Sequence, residues 1–476
     1  MLSILTRPGR LCDGPSRREL LTVGTLGLVG LALPDYLRGK ARAAESRAPG
    51  GTFGRAESVI VLYMQGSPSH IDLWDPKPAA PAEIRGEFQP IATRAPGMFL
   101  GEVLPRLAME ADKFALVRST HVNPKGLPNH GSAIYMLLTG HDSSNFTATG
   151  LAVPPTREDL PSIGATAIRF RPAQAGRLGY VALCAPVGEG VVTGLAQGAG
   201  LLGGGHDPFT MYDDPTKPLR VDGLALPSDV TSVRLQGRRE LRAKIVAERP
   251  MADANFDPYF EKAASLVEST KALAAFRLED EPQGIRERYG LTRFGQSCLL
   301  ARRLVEAGTR FVQVNWPARA DQEPGPGPDG SWDTHRNNFP ILREHRAPVF
   351  DLTTSALVSD LAQRGLLEST LVVAIGEFGR SPRIGAATTN NVGPGGRDHW
   401  PHCYSFLIAG GGVRGGQAYG ESDKHGAYPK QDPVHPWDMI ATLYHLLGIP
   451  ADMEYRDTLD RPRRLVQQGS PILGLL

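Results

Sequence analysis

An α/β fold built on a mostly parallel central sheet, with helices on both faces, is the architecture this sequence predicts. Three observations carry it. Continuous apolar runs of strand length recur at 58–65, 371–375 and 404–409, as expected of strands covered on both faces. Segments with apolar residues at helical spacing alternate with them, as in Leu299, Leu300, Leu304 and Val305. Short glycine-bearing turns join the two kinds of segment, which implies right-handed crossovers between parallel strands.

In order, the chain opens on a targeting segment. Ser16-Arg17-Arg18-Glu19-Leu20-Leu21 leads into an uncharged run from Leu20 to Leu33, and Ala41-Arg42-Ala43 offers a small-residue cleavage site. This is the layout of a twin-arginine signal peptide over residues 1–43. Export to the periplasm or cell envelope is therefore expected, with the twin-arginine translocase as partner during export. The apolar core has 14 residues, whereas a membrane span needs roughly 20. No stable span is expected after cleavage, an uncleaved leader acting as an anchor being the alternative. Twin-arginine export carries folded cargo, which suits a protein that loads a cofactor or metal before it leaves the cytoplasm.

A polar linker, 44–57, precedes the first strand, which ends in Gly66-Ser67-Pro68. Val103, Leu104, Leu107 and Ala108 suggest a helix, and Phe114 to Val117 a second strand. Between about 151 and 290 the pattern loosens into glycine- and proline-rich stretches such as Gly203-Gly204-Gly205, with helical spacing near 230–247 and 257–275. We read this region as an insertion or cap. The alternation then returns: helix 296–307 closed by Gly308, strand 310–315, helix 348–364, strand 371–375, strand 404–409 and helix 437–447. Residues 58–476 thus form one elaborate α/β domain or two closely packed ones.

Residues 1–43 hold seven Lys/Arg against three Asp/Glu, so the formal charge of +2 falls by four, to −2, once they are removed. No basic surface for nucleic acid is implied. Of four cysteines, Cys12 lies in the leader, and Cys184, Cys298 and Cys403 are widely spaced and odd in number. Neither a disulfide framework nor a cysteine-pair zinc motif fits.

Ligands in open α/β sheets bind beyond the carboxyl ends of the strands, so positions after Gln65, Asn315 and Ile375 are favoured. The chemistry-bearing residues fall at such places. Ser69-His70-Ile71-Asp72 follows the first strand; Asp72 or His70 could ligate a metal, or the segment is a turn whose carboxylates bond backbone N–H groups. His130 opens a short helix, where it could serve as ligand, base or nucleophile beside the anion-friendly helix end, or be satisfied by backbone. In Trp332-Asp333-Thr334-His335 the i, i+2 spacing puts Asp333 and His335 on one side of an extended segment, a solvated turn being the competing reading. Gly376-Glu377-Phe378-Gly379-Arg380 ends a strand; Arg380 has the fork to hold an oxyanion, unless it simply pairs with Glu377. Arg397-Asp398-His399-Trp400-Pro401-His402 offers a carboxylate and two imidazoles just before a buried strand. Carboxylates and imidazoles gathered in this way point to a divalent metal, zinc first with calcium or manganese as alternatives, and to metal-assisted hydrolysis. Asp333, His335, Asp398 and His399, with Glu377, His402 and Asp72, are the candidate ligands; His130 and Arg380 are the candidate catalytic groups.

These residues also carry a resemblance. The segments Glu368 to Arg380, Phe406 to Gly412 and Asp438 to Pro450 resemble the C-terminal half of sulfatases in the alkaline phosphatase superfamily. Leu137-Leu138-Thr139-Gly140 resembles the end of the sulfatase nucleophile motif. Together, Ser69 to Asp72, Trp332 to His335, Gly376 to Arg380 and Arg397 to Trp400 resemble the family known as domain of unknown function fifteen-oh-one, whose members typically carry twin-arginine leaders. The resemblance implies an alkaline-phosphatase-like fold and hydrolysis of a phosphate or sulfate ester, on a small anionic ester or a sulfated or phosphorylated glycan. There are departures. His130 stands where sulfatases carry the Cys or Ser that becomes formylglycine. Glu377-Phe378 stands where the superfamily shows Asp-His, and Gln65 where it shows a metal-binding Asp, unless Asp72 substitutes. Asp333 and His335 are closer in sequence than the corresponding pair of alkaline phosphatases. The departures leave open a degenerate member that binds an anionic glycan or envelope partner without turnover. A phosphotransferase resembling cofactor-independent phosphoglycerate mutases is a weaker third option, which export disfavours.

Overall fold

The computed structural model describes residues 51–122, 129–142, 152–190, 192–221, 230–248, 270–317, 330–389, 392–457 and 460–476. The leader, half of the linker and the stretch 318–329 lie outside them, as does most of the expected helix 257–275. The chain divides at Gly54, and Arg55–Leu476 forms one compact unit, to which everything below refers.

At its centre is an eight-stranded sheet. The strands are β1 (Ser58–Tyr63), β2 (Phe114–Thr120), β3 (Tyr180–Leu183), β4 (Phe209–Met211), β5 (Phe311–Asn315), β6 (Thr370–Ile375), β7 (Tyr404–Ala409) and β8 (Gln417–Tyr419). Their order across the sheet is β8-β2-β7-β6-β1-β5-β3-β4. Only β7 runs against its neighbours, β6 and β2; the remaining pairings are parallel. Every residue of β1, β5, β6 and β7 is buried, because helices cover both faces; the largely apolar runs of β1, β6 and β7 foretell it, while β5 carries buried Gln313 and Asn315.

The covering helices used below are α1 (His70–Leu73), α2 (His130–Thr139), α3 (Ile163–Phe170), α4 (Ser232–Glu248), α5 (Arg293–Glu306), α6 (Ala347–Gln363) and α7 (Pro436–Leu446). Thr292 caps α5 by accepting from the Gly295 N–H, and Gly308, at φ +93°, turns the chain away just beyond its end. The expected helices and strands of the second half are present, with ends shifted by no more than three residues. The helix expected around Val103 to Ala108 is one turn, Pro105–Ala108. The region read as an insertion or cap contributes β3 and β4 to the central sheet itself, while α4 stands outside the sheet.

This topology gathers one rim. β6, β1 and β5 lie side by side and parallel, so the segments after Ile375, Tyr63 and Asn315 leave the sheet at the same edge. Because β7 is antiparallel, its beginning, preceded by His399, lies at that edge too.

Candidate functional site

After β1 the chain turns sharply at Gly66 (φ +96°) and Ser67 (φ +64°). A Cβ on Gly66 would stand 2.6 Å from Asp333 N and 2.8 Å from Trp332 N, so only glycine admits the loop that follows β5. That loop is held by Trp332 N–H donating to Gln65 O at 3.0 Å and by the buried Trp332 ring, which packs on Trp316 and Phe350. The segment before His399 is zipped to the same loop: Gly393 N–H donates to His335 O at 2.8 Å and Arg397 N–H to Thr334 O at 3.0 Å. Finally, Arg380 pairs with His399 in a two-residue antiparallel ribbon.

Three ligand-type atoms meet at this junction. Asp333 Oδ1 lies 2.9 Å from His335 Nε2 and 3.3 Å from His399 Nε2, and the two imidazole nitrogens are 2.9 Å apart. His130 Nε2 approaches the other Asp333 oxygen, Oδ2, at 3.3 Å. Donor atoms bound at 2.0–2.2 Å in a tetrahedral shell are spaced about 3.3 Å apart, so the triangle has the dimensions of a shared shell. His130 Nε2 and His335 Nδ1 are buried and make no hydrogen bond with good geometry, a cost that an ion or a ligand would relieve. Two sets of candidate ligands have their donor atoms mutually within 4.8 Å: His130, Asp333 and His399, and His335, Asp398 and His399. The donor set fits a divalent metal of the zinc type. One contact works against it, since Arg380 Nη2 lies 2.5 Å from Asp333 Oδ1 and would share that oxygen with an ion.

Around the triangle stand residues that orient it. Glu377, fully buried, takes His130 Nδ1–H at 2.6 Å and Gly66 N–H at 2.9 Å on Oε1, and the Tyr63 hydroxyl at 3.0 Å on Oε2. Glu377 thereby holds the Nδ1–H end of His130 and aims Nε2 toward Asp333. Asp398 accepts from Thr388 N–H, Thr389 N–H, the Thr389 hydroxyl and His399 N–H, and lies 3.4 Å from His335 Nδ1. Phe378 closes one side, its ring centroid 4.9 Å from that of His130 and 4.7 Å from that of His399.

The electrostatics follow from this crowding. Burial opposes a charged His130 ring, but Asp333 and Glu377 outweigh it and hold the imidazole up at about 10. Burial drives His399 the other way, to about 4, with His130 and Arg380 assisting. Asp333 stays well below the usual carboxylate range: Arg380 and His130 overcome the opposing effect of burial. Glu377 is lowered as well, His130 prevailing over burial.

The structure does not bring every candidate together. Asp72, on α1, is taken by Arg397, whose Nε and Nη2 reach its two oxygens at 2.8 and 2.9 Å, and by Asn338 Nδ2 at 2.8 Å. The remaining Arg397 donors serve the carbonyls of Ser381, Pro382 and Ile84. Asp72 is thus half of a buried structural pair. His402 points elsewhere and stacks with Trp400 and Tyr428, ring centroids 4.7 and 5.5 Å away. Glu377 orients His130 rather than joining the triangle. Arg380 does not face an open crevice: its Nε donates to Ser67 O at 2.8 Å and Nη2 to Gly66 O, besides pairing with Asp333. Sequence reading missed Tyr63 and Glu189. Tyr63 offered a weak signal, a polar tip at the end of an apolar strand. Glu189 offered none; it sits in a hairpin held by Gln65, whose Nε2 donates to Gly188 O at 2.6 Å, and burial raises its carboxyl.

A family model described as protein of unknown function (DUF1501) matches residues 56–476. The chain belongs to the DUF1501 family. No curated protein matches the DUF1501 chain. Among solved structures, it is similar to a protein in the alkaline phosphatase superfamily from Vibrio parahaemolyticus (11% identity, 86% of this chain and 74% of that one, TM-score 0.36). It is similar also to the PsFucS1 sulfatase from Pseudoalteromonas sp. (16%, 86% and 71%, 0.38). A third is the phosphonate monoester hydrolase SpPMH from Silicibacter pomeroyi (14%, 85% and 76%, 0.35). At these scores the likeness assigns no activity to this DUF1501 protein.

Proposed function

We propose that this DUF1501 chain is an exported, metal-dependent hydrolase of phosphate or sulfate esters, a divergent relative of the alkaline phosphatases and sulfatases. The observation that carries the reading is the triangle of Asp333 Oδ1, His335 Nε2 and His399 Nε2, with edges of 2.9, 2.9 and 3.3 Å. Asp333, His335 and His399 would hold the ion, with His130 at its margin. Two imidazoles and a carboxylate suit zinc best, manganese or calcium less well. Charge supports a cation as well: the three carboxylates of Asp333, Glu377 and Asp398 outnumber Arg380 and the charged His130 by one.

A bound divalent ion polarises an ester oxygen and acidifies water. The chain's own residues do the rest. Glu377 fixes the charged His130 ring so that Nε2–H can give its proton to the leaving oxygen. Arg380 keeps Asp333 ionised and seats the Gly66–Ser67 turn, and Phe378 excludes water from one side. The substrate is a small anionic ester or a phosphorylated or sulfated glycan.

One specific contact favours the second reading, a binding protein without turnover: Arg380, the cation suited to a substrate oxygen, is consumed by Asp333 and backbone carbonyls. Elemental analysis of the purified chain, with and without His399→Ala, tests the metal. We expect stoichiometric metal in the parent and its loss in the variant; a metal-free parent sinks the proposal. Turnover of aryl phosphate, phosphodiester and aryl sulfate, abolished by His130→Ala and by Asp333→Ala, separates hydrolase from binding protein.

A further inference from the structure

At the opposite rim of the sheet, where β3 begins, lies a cavity of about 490 Å³. Four separate segments bring basic groups to it: Arg169 from the end of α3, Arg177 from the loop before β3, His206 from a single 3₁₀ turn and Arg239 from α4. The other lining residues are apolar or neutral, and among the described residues no carboxylate lines it. Since Gly179 immediately precedes β3 and accepts the Phe311 N–H at 2.9 Å, the cavity sits at the amino ends of the parallel strands. The Asp333–His399 triangle sits at their carboxyl ends, a strand's length away.

The basic groups are placed rather than loose. Arg177 lies across Gly308, just past α5; a Cβ there would collide with its guanidinium. Arg169 packs over the Phe170 ring at 6.0 Å. His206 Nδ1 is 3.1 Å from Leu202 O. The guanidiniums of Arg169 and Arg177, brought to one hollow, repel each other, and a bound anion removes that cost. Guanidinium forks match the oxygens of phosphate and sulfate in geometry as well as sign.

We infer that this cavity is a second, oxyanion-binding site that takes a phosphate or sulfate dianion, free or carried on a sugar. It stands independently of the hydrolase reading, because none of its residues belongs to the metal cluster.

Calorimetric titration of the purified chain tests it, using inorganic sulfate, inorganic phosphate and a heparin tetrasaccharide as separate probes at low ionic strength. At least one probe should bind, and Arg169→Ala with Arg177→Ala should weaken it by roughly tenfold or more. His399→Ala should leave that binding in place. Arg169 is exposed, so Arg169→Ala alone keeps the test valid should the double variant fail to fold, as its unfolding midpoint would reveal. Tighter binding of the tetrasaccharide, equally sensitive to the arginines, identifies a glycan-borne group; comparable binding of the inorganic ions identifies a free dianion. The inference is overturned if no probe binds, if the arginine variants bind as well as the parent, or if only His399→Ala abolishes binding.

Discussion

His130 Nδ1 stands 2.6 Å from Glu377 Oε1, and Glu377 spends its other contacts on the Gly66 N–H and the Tyr63 hydroxyl. A carboxylate so committed sets the aim of an imidazole. Replacing it with its amide keeps the shape but removes the charge that draws the Nδ1 proton. Glu377→Gln should therefore lower metal affinity or turnover by about 10–100-fold, with the fold intact. Competition with a chromophoric chelator, alongside aryl ester turnover, measures both; parent-like values for the variant would show that Glu377 does not act through His130.

Asp72 and Arg397 should behave as a structural couple. Both side chains are fully buried, so Arg397→Met would strand a carboxylate among apolar neighbours at a cost of about 3–5 kcal/mol. Asp72→Asn should destabilise while leaving metal content unchanged. Urea unfolding and elemental analysis check the two halves; loss of metal in Asp72→Asn would restore Asp72 as a ligand.

Gly66 is the hinge between the first strand and the Asp333 loop. At φ +96° an alanine is strained, by about 1–3 kcal/mol, and its Cβ would press on the Trp332 and Asp333 backbone. Gly66→Ala should lower the unfolding midpoint and weaken metal binding together. Retention of both would mean that the loop yields without disturbing the cluster.

His70 imposes a pH dependence on stability. It is buried, Nε2–H donates to Gly426 O at 2.7 Å, and burial, chiefly, lowers its pKa to about 4. Unfolded, it takes a proton as pH falls through about 6.5; folded, it does not until about 4. Protons therefore favour the unfolded chain across that window, and stability conferred by neutral His70 is full above about pH 6.5 and lost toward pH 4. Urea midpoints across this range should fall less steeply in His70→Gln than in the parent; equal slopes would assign the dependence to other groups.

The strands and helices were legible because their signals are local. The run at 371–375 is apolar throughout and that at 404–409 apolar but for Tyr404 and Ser405, and burial on both faces demands that. β3 and β4 were not: Tyr180–Leu183 and Phe209–Met211 are short, interleaved with glycine-rich turns, and stable only through pairing with β5 and with each other. At the site, Asp333, His335 and His399 were legible as ligand-type residues at strand ends. Asp72 and His402 carried the same local signal and proved to belong to a buried ion pair and an aromatic stack. Residue type and spacing say what a side chain can bind; they do not say which partner, hundreds of positions away, reaches it first.

The sequence by itself determined the α/β class, the positions of the second-half strands and the supply of carboxylates and imidazoles between 332 and 402. Each rests on residue chemistry or on a periodicity confined to a few turns. Only the tertiary structure decided that β7 runs antiparallel and so brings His399 to the rim where β6, β1 and β5 end. It alone decided that Arg397 claims Asp72, that Glu377 aims His130 and that four distant segments share an arginine-lined cavity. Those outcomes depend on strand order, and strand order is set by the summed packing of the whole core rather than by any segment.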